Sequence, residues 1–224
     1  MNSRLERESI GVISTYTAGL GFTLIELLFV MAIIASLATL SVPSFTSLGK
    51  SAGLNGGGNM VAGLITSARQ NALSKNTMTA LVIVTDSSVD PQNRLFTMME
   101  LPAHEDNTTK PQSSDWKQIT KWETLVRGVI VSNWTSSPQT VSPTFPKLRY
   151  GNHWITQDGF KYLIFMPDGS TLSNTSTTVQ LVEGYIPKGE TVPLYTSVLK
   201  NGNPANYYKL TILNTTGRIK IDRP

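Results

Sequence analysis

The sequence contains no cysteine and only two histidines, His104 and His153. Without cysteine there is no disulfide framework, no thiol catalysis and no zinc site built on cysteine ligands. The two histidines also lack the short spacing of a zinc-binding pair, so we expect both to be solvated surface residues. The sequence therefore predicts neither a metal site nor a bound cofactor.

The motifs that hold phosphates or activate a nucleophile are also missing. The chain has no G-x-S-x-G, no G-x-x-x-x-G-K-[ST] and no G-x-G-x-x-G. Gly56, Gly57 and Gly58 follow a hydrophobic segment rather than a strand, which is typical of a hinge and not of a phosphate loop. Glu105 and Asp106 lie in a polar stretch, where two adjacent carboxylates are ordinarily solvated. We predict that the protein is not an enzyme.

The composition is that of a folding sequence of moderate length. The 224 residues leave room for one domain and an additional segment, and 40% of them are hydrophobic while 15% are charged. These proportions favour a packed core over wholesale disorder. The formal charge of +4 is compatible with an anionic partner but diagnostic of none.

One apolar run stands near the N-terminus, from Phe22 to Val42, with Glu26 as its single charged residue. As a helix it reaches about 30 Å, enough to span a bilayer. No small-x-small cleavage site follows it, so we expect it to remain on the protein, and a simple signal anchor is one interpretation. A carboxylate within such a segment costs about 2.5 to 3.5 kcal/mol, however, and is expected to have a partner or a function.

The residues around Glu26 are more specific. GFTLIELL, Gly21 to Leu28, resembles the type III signal sequence of type IV prepilins and type II secretion pseudopilins. The resemblance implies that a prepilin peptidase cuts between Gly21 and Phe22 and methylates the new amino group of Phe22. It also implies that Glu26 pairs with the N-terminal amine of a neighbouring subunit during assembly, which would give the carboxylate its partner.

The chain after Pro43 is predicted to continue as helix to about Asn76. Asn55 to Gly58 should break it, so two helical pieces are expected, the second an amphipathic helix from Met60 to Ser74. Short apolar or alternating runs then predict strands. These runs are Thr79 to Thr85, Arg94 to Glu100, Trp116 to Trp122, Leu125 to Val131, Lys161 to Met166, Thr177 to Val182, Tyr207 to Asn214 and Arg218 to Ile221.

The fold class expected is α+β, a long N-terminal hydrophobic helix packed on an antiparallel sheet. The predicted organisation is a leader at 1–21, a transmembrane and assembly helix at 22–43, an amphipathic continuation with a Gly-rich break at 44–76, and a β-rich domain at 77–224. The turn-rich stretches Pro102 to Asp115 and Ser132 to Pro146 are predicted to be exposed loops.

Two further stretches sharpen the resemblance. Ser67 to Val84, with its ARQxA-like helix end, and IFMPDGS, Ile164 to Ser170, resemble the soluble domain of the H-type pseudopilin and FimT-like minor pilin group, the GspH/FimT family. In the second stretch Pro167, Asp168 and Gly169 predict a tight turn after a buried strand. Arg69, in the first, is expected to face solvent or a carboxylate.

The C-terminus is basic, with five Lys or Arg residues from Lys200 onwards against Asp222 alone. Arg218 and Lys220 alternate on the last predicted strand and should project from one side, a geometry suited to successive phosphates. FimT-like competence pilins bind DNA through a C-terminal glycine-arginine basic motif, which this sequence matches loosely, so Arg218, Lys220 and Arg223 are candidate DNA contacts. The alternative is that basic residues protect an edge strand from pairing.

Together these features predict a minor pilin or pseudopilin subunit. It would sit in the inner membrane as a single-pass protein, with its C-terminal domain in the periplasm or on an extracellular filament. Its partners would be other pilin or pseudopilin subunits and the prepilin peptidase. A type II secretion pseudopilus and a type IV pilus both remain open. The alternatives are a DNA-binding minor pilin for natural transformation and an adhesin-like tip protein using the loops around Trp116, Trp122 and Trp134.

Overall fold

The structure, a computed structural model, describes residues 22–101, 115–135, 143–196 and 199–223, and within 40–51 it describes the backbone but not the side chains. The predicted leader at 1–21, with Gly21, lies outside these ranges. So do His104, Glu105 and Asp106 and most of the first predicted loop. The chain divides between Phe45 and Thr46 into two compact units.

The described residues form one long helix followed by short strands. In chain order they are α1 (Leu24–Lys75), β1 (Met78–Val84), β2 (Leu95–Leu101), β3 (Lys117–Gln118), β4 (Glu123–Thr124), β5 (Val129–Thr135), β6 (Leu148–Tyr150), β7 (His153–Ile155), β8 (Phe160–Phe165), β9 (Thr177–Tyr185), β10 (Leu194–Tyr195), β11 (Leu199–Lys200), β12 (Asn203–Pro204), β13 (Tyr207–Ile212) and β14 (Ile219–Asp222).

Two antiparallel sheets form the body of the second unit. The first has the order β3-β2-β1-β8, with β4 also paired to β2. The second has the order β10-β9-β13-β14, with β5 also paired to β9. The pairs β6-β7 and β11-β12 form two small hairpins. Every strand pair is antiparallel, which confirms the α+β class predicted from the sequence.

The C-terminal part of α1 packs against both sheets. Val61, Ile65, Ala68 and Ala72 are fully buried on one face of the helix. They share one hydrophobic core with inward residues of the first sheet, such as Leu81, and with others of the second sheet. Their spacing of three and four residues is that of a single helix face, as the sequence predicted. Leu73, which lies within the predicted amphipathic helix, is 41% exposed.

The predicted break at Asn55 to Gly58 is wrong, because α1 runs through these residues without interruption. A side chain at position 58 would overlap the ring of Tyr208, and one at position 57 would approach Val129 closely. The Tyr208 hydroxyl donates a hydrogen bond of 2.9 Å to Asn59 Oδ1. The glycines therefore let the helix approach β13 and β5, and that packing offsets their low helix propensity.

A second core lies on the other face of the first sheet. It contains Ala80, Val82 and Val84 from β1 together with Phe145, which precedes β6, and Leu148, the first residue of β6. The rings of Trp116 and Phe145 lie 4.7 Å apart at its edge. Because both faces of β1 are covered, its residues from Thr79 to Val84 are all buried.

Several predicted boundaries change. Strand was expected from Trp116 to Trp122, but only Lys117–Gln118 pairs there. The loop predicted from Ser132 begins instead as the end of β5, which extends to Thr135 because it pairs with β9 through a register shift after Val131. The hairpins β6-β7 and β11-β12 were not predicted, since strands of two or three residues carry no usable alternation.

The described residues of the first unit, Phe22 to Thr39, are exposed throughout, with Leu24 at 83% and Phe22 at 82%. Among the residues that the structure describes, no stretch of helix combines the length and hydropathy needed to cross a membrane. The side chains at 40–43, the end of the predicted membrane segment, lie outside that set.

Candidate functional site

Helix α1 opens with a closed set of hydrogen bonds between Thr23 and Glu26. The backbone N–H and the hydroxyl of Thr23 donate to Glu26 Oε2 at 2.9 and 2.8 Å. In return the Glu26 N–H donates to Thr23 Oγ1 at 3.3 Å. The Leu27 N–H then donates to the Thr23 carbonyl at 3.1 Å. Thr23 is thus the N-cap of α1 and Glu26 its N3 residue, the arrangement known as a capping box.

This capping box gives Glu26 a local role that the sequence interpretation missed. The signal was present, because Thr-x-x-Glu directly before an apolar run is the sequence pattern of a helix start. Only Oε2 takes part in the capping bonds, and Glu26 is exposed. Among the described contacts the other carboxylate oxygen accepts no hydrogen bond, so it can accept one from a donor outside the segment. Phe22, beside the cap, is exposed as well.

At the other end of the chain, β14 separates the basic residues by face. Ile219 packs against the first core, so Arg218, Lys220 and Asp222 lie on the opposite side of the strand. Arg218 and Lys220 are both exposed, and the pair is two residues apart along one face as predicted. Lys220 is in register with Thr211, and Asp222 with Lys209, so this outer face is polar and mixed in charge.

Arg223 does not join Arg218 and Lys220. Its Nη2 donates to the Tyr208 hydroxyl at 3.0 Å, and its Cζ lies 4.3 Å from the centre of the Tyr208 ring. The same hydroxyl donates to Asn59 of helix α1. Arg223 therefore ties the end of the chain to the helix–sheet contact through a cation–π interaction and a hydrogen bond.

Three stretches that carry the family resemblance meet at Arg69. Its Nε donates to the carbonyl of Thr216 at 2.9 Å and to that of Gly169 at 3.2 Å. Gly217 has φ of +63°, and a side chain there would overlap the Gly169 carbonyl. The prediction that Arg69 faces solvent or a carboxylate is wrong, because the residue instead satisfies two backbone carbonyls. Gly217 is thus explained by this close packing.

The PDG turn holds as predicted. The Gly169 N–H donates to the Met166 carbonyl at 2.8 Å, and Gly169 has φ of +81°. Asp168 Oδ1 accepts from the Ser170 N–H at 2.8 Å and from its hydroxyl at 2.6 Å. These hydrogen bonds lower the pKa of the Asp168 carboxyl below its usual range. The turn therefore serves the fold by presenting its carbonyl to Arg69.

The aromatic residues considered for a tip surface take different positions. Trp116 and Trp134 are buried core residues, and Trp122 is half-buried with its Nε1 donating to the Arg149 carbonyl at 2.9 Å. The exposed tryptophan is Trp154 of β7, which is 62% exposed with the Arg149 guanidinium 5.6 Å from its ring. Residues 102–114 and 136–142 of the loops around these tryptophans lie outside the described residues, so the tip hypothesis stays a prediction.

The described residues contain no group of three or more His, Asp or Glu side chains placed to hold a metal. His153 lies exposed on β7.

No protein-family model and no curated protein matches the sequence. Among solved structures, the chain is similar to the minor pseudopilin EpsH from the type 2 secretion system of Vibrio cholerae. The two are 14% identical, the match covers 76% of this chain and 97% of that one, and the TM-score is 0.41. It is also similar to the type IV minor pilin FimU of Pseudomonas aeruginosa, at 12% identity, 76% and 92% coverage and a TM-score of 0.41.

Proposed function

We propose that the protein is a minor pilin or pseudopilin subunit that assembles into a type II secretion pseudopilus or a type IV pilus. The observation that carries the proposal is the start of helix α1. There the GFTLIELL motif, the Thr23–Glu26 capping box and an exposed apolar segment coincide. An exposed apolar surface of this extent needs a lipid or protein environment to cover it.

In this proposal a prepilin peptidase cleaves between Gly21 and Phe22 and methylates the Phe22 amine. Cleavage there leaves the capping box intact, because its residues begin at Thr23. The apolar helix then holds the protein in the inner membrane until it packs among the helices of other subunits. The β-rich unit faces the periplasm or the outside of the filament, and the chain performs no catalysis of its own.

Glu26 has two roles in this scheme. Oε2 caps its own helix, and the accessible second oxygen accepts from the N-terminal amine of a neighbouring subunit. Such a charge-assisted bond is stronger than a neutral one and fixes the register of two helices in a low-dielectric filament core. The capping role needs a hydrogen-bond acceptor, whereas the intermolecular role needs the negative charge.

The test separates these two roles by substitution. Glu26→Gln keeps the capping box, because glutamine also serves at N3, but it removes the charge. We expect the Glu26→Gln precursor to be cleaved and methylated, as mass spectrometry of the N-terminal peptide would show, yet to be absent from sheared filaments. Gly21→Ala should block cleavage itself. A Glu26→Gln protein that enters filaments at the wild-type level would refute the role of the charge.

DNA binding is the second candidate function, and the exposed pair Arg218 and Lys220 on one face of β14 favours it. The full chain in neutral detergent should retain duplex DNA at low salt, and Arg218→Ala/Lys220→Ala should lower the salt slope by about 2 if each residue contacts one phosphate. Lys121→Ala/Lys147→Ala removes two exposed cations elsewhere and is the matched control. Absence of retention at low salt would exclude this function.

A further inference from the structure

A concave site in the second unit is lined by three positively charged side chains and one carboxylate. Its cavity, of about 510 Å³, is formed by the loop between β1 and β2, the turn before β5 and the end of β9. The charged residues that line it are Arg94, Arg127, Lys188 and Asp90. A volume in this range suits a small molecule or a side chain of a partner.

Arg94 is fixed in place at the wall of this cavity. Its Nη2 donates to the Leu125 carbonyl at 2.7 Å, while its Nε is buried and has no hydrogen-bond partner in the described structure. Within the same described ranges, no carboxylate lies within ion-pair distance of Arg94. A guanidinium that is partly desolvated and not neutralised raises the free energy of the empty site.

The electrostatics of the cavity agree with this picture. Burial lowers the pKa of the Arg94 guanidinium, the negative charge of Asp90 opposes this shift, and the positive charge of Arg127 adds to it to a smaller extent. The pKa remains lowered, so Asp90 only partly offsets the cost of burying the Arg94 charge. Arg127 and Lys188 are exposed and can turn towards a ligand.

The walls of the cavity are held together independently of any ligand. The buried amide of Gln92 donates to the carbonyls of Glu190 and Pro187 at 2.6 and 3.3 Å, joining the first loop to the end of β9. The Gly184 N–H donates to the Gly128 carbonyl at 2.9 Å, which ties the turn beside Arg127 to β9. The three segments thus form a preorganised site.

We propose that this cavity binds an oxyanion, a carboxylate or a phosphate group, held by Arg94 and Arg127 with Lys188 at the rim. The planar guanidinium of arginine suits both groups, and a ligand anion balances the excess of three cations over the one carboxylate, Asp90, in the lining. The site contains no residue of the N-terminal segment. A failure to bind anions would therefore leave the proposed filament assembly unaffected, and a failure to assemble would leave anion binding unaffected.

The test is calorimetric titration of the full chain in neutral detergent with sodium phosphate and, separately, sodium acetate, at constant ionic strength. We expect saturable binding of at least one anion. Arg127→Gln should weaken it about tenfold, since a charge a few ångströms from the anion is removed, and Arg94→Gln should abolish it. Asp90→Asn should strengthen it, because a competing carboxylate is lost.

The controls distinguish anion binding in this cavity from nonspecific attraction to a positively charged protein. Lys121→Gln removes an exposed cation outside the cavity and should leave binding unchanged. Phosphate binding alone would indicate a phosphate-bearing ligand, and acetate binding would indicate a carboxylate. Absence of binding by both anions, or equal weakening by Arg127→Gln and Lys121→Gln, would overturn the proposal. Arg127 makes no hydrogen bond among the described contacts, so its variant should fold even if Arg94→Gln does not.

Discussion

The two parts of helix α1 differ in the burial of their apolar side chains. From Phe22 to Thr39 the helix exposes its apolar side chains, and its described polar contacts are local, as in the Thr23–Glu26 capping box. In the second unit the same helix buries one narrow face against two sheets. The second part is therefore stabilised by packing within its own chain, whereas the described side chains of the first part remain exposed in the structure.

The largest expected effect comes from making the same substitution in both parts. Ile65 is fully buried, so Ile65→Ala should lower the free energy of unfolding by about 2 to 5 kcal/mol through lost transfer energy and a cavity. Ile33 is 44% exposed, and Ile33→Ala should change it by less than about 0.5 kcal/mol. Denaturant unfolding followed by the fluorescence of buried Trp116 and Trp134 measures both. Equal losses would contradict the comparison.

The next prediction compares two glycines of α1, Gly58, which packs closely against Tyr208, and Gly56, which has no neighbour within 4 Å. Gly58→Ala should destabilise the fold by about 1 to 3 kcal/mol, because the added methyl group overlaps the Tyr208 ring. Gly56→Ala adds a methyl where nothing lies within 4 Å and should stabilise the helix by up to about 1 kcal/mol. Unfolding midpoints of the two variants should therefore shift in opposite directions. Stabilisation by both would restore the hinge interpretation.

The basic C-terminus allows a similar comparison between a packed and an exposed arginine, with a smaller expected difference in stability. Arg223→Ala removes the cation–π contact and the hydrogen bond to Tyr208 and should cost about 1 kcal/mol of stability. Arg218→Ala, on the exposed face, should change stability by less than about 0.5 kcal/mol. Thermal unfolding of the two variants checks this. A larger loss from Arg218→Ala would mean that its side chain has an unrecognised structural role.

The features that the sequence predicts correctly are those set by interactions between residues close together in the chain. Strand β1 and the PDG turn were predicted closely, since alternation, burial and turn chemistry are set by neighbouring residues. The capping box is equally local, because Thr-x-x-Glu before an apolar run is its sequence pattern. The α+β class likewise followed from one long apolar helix and later short apolar runs.

The features that were mispredicted depend on distant partners. Gly58 looks like a helix breaker until Tyr208, far along the chain, packs against it. Arg69 looks like a surface cation until the carbonyls of Gly169 and Thr216 are brought to it. No local sequence pattern indicates which turns will lie together against one face of the helix. The same limit applied to Arg223, which was grouped with Arg218 by proximity in sequence.

The smallest expected effect concerns acid stability at the C-terminal end of α1. Glu100 Oε2 accepts from Lys75 Nζ at 2.6 Å and from Asn71 Nδ2 at 3.0 Å. The hydrogen bond from Asn71 and that from Lys75 lower the pKa of the Glu100 carboxyl below its usual value of 4.5. A carboxyl with a lowered pKa in the folded state contributes stability that is complete above its unfolded pKa and is lost as the pH falls through the folded value.

Glu100→Gln should therefore reduce stability at neutral pH by less than about 1 kcal/mol, as expected for an ion pair whose lysine side chain is half-exposed. The gap to wild type should close as the pH falls below 4.5, because the wild-type carboxyl then becomes neutral as well. Glu123→Gln, at an exposed carboxylate on β4, is the matched control and should change stability at neutral pH by less than about 0.5 kcal/mol. A constant gap at every pH would mean that Glu100 stabilises the helix end by packing rather than by its charge.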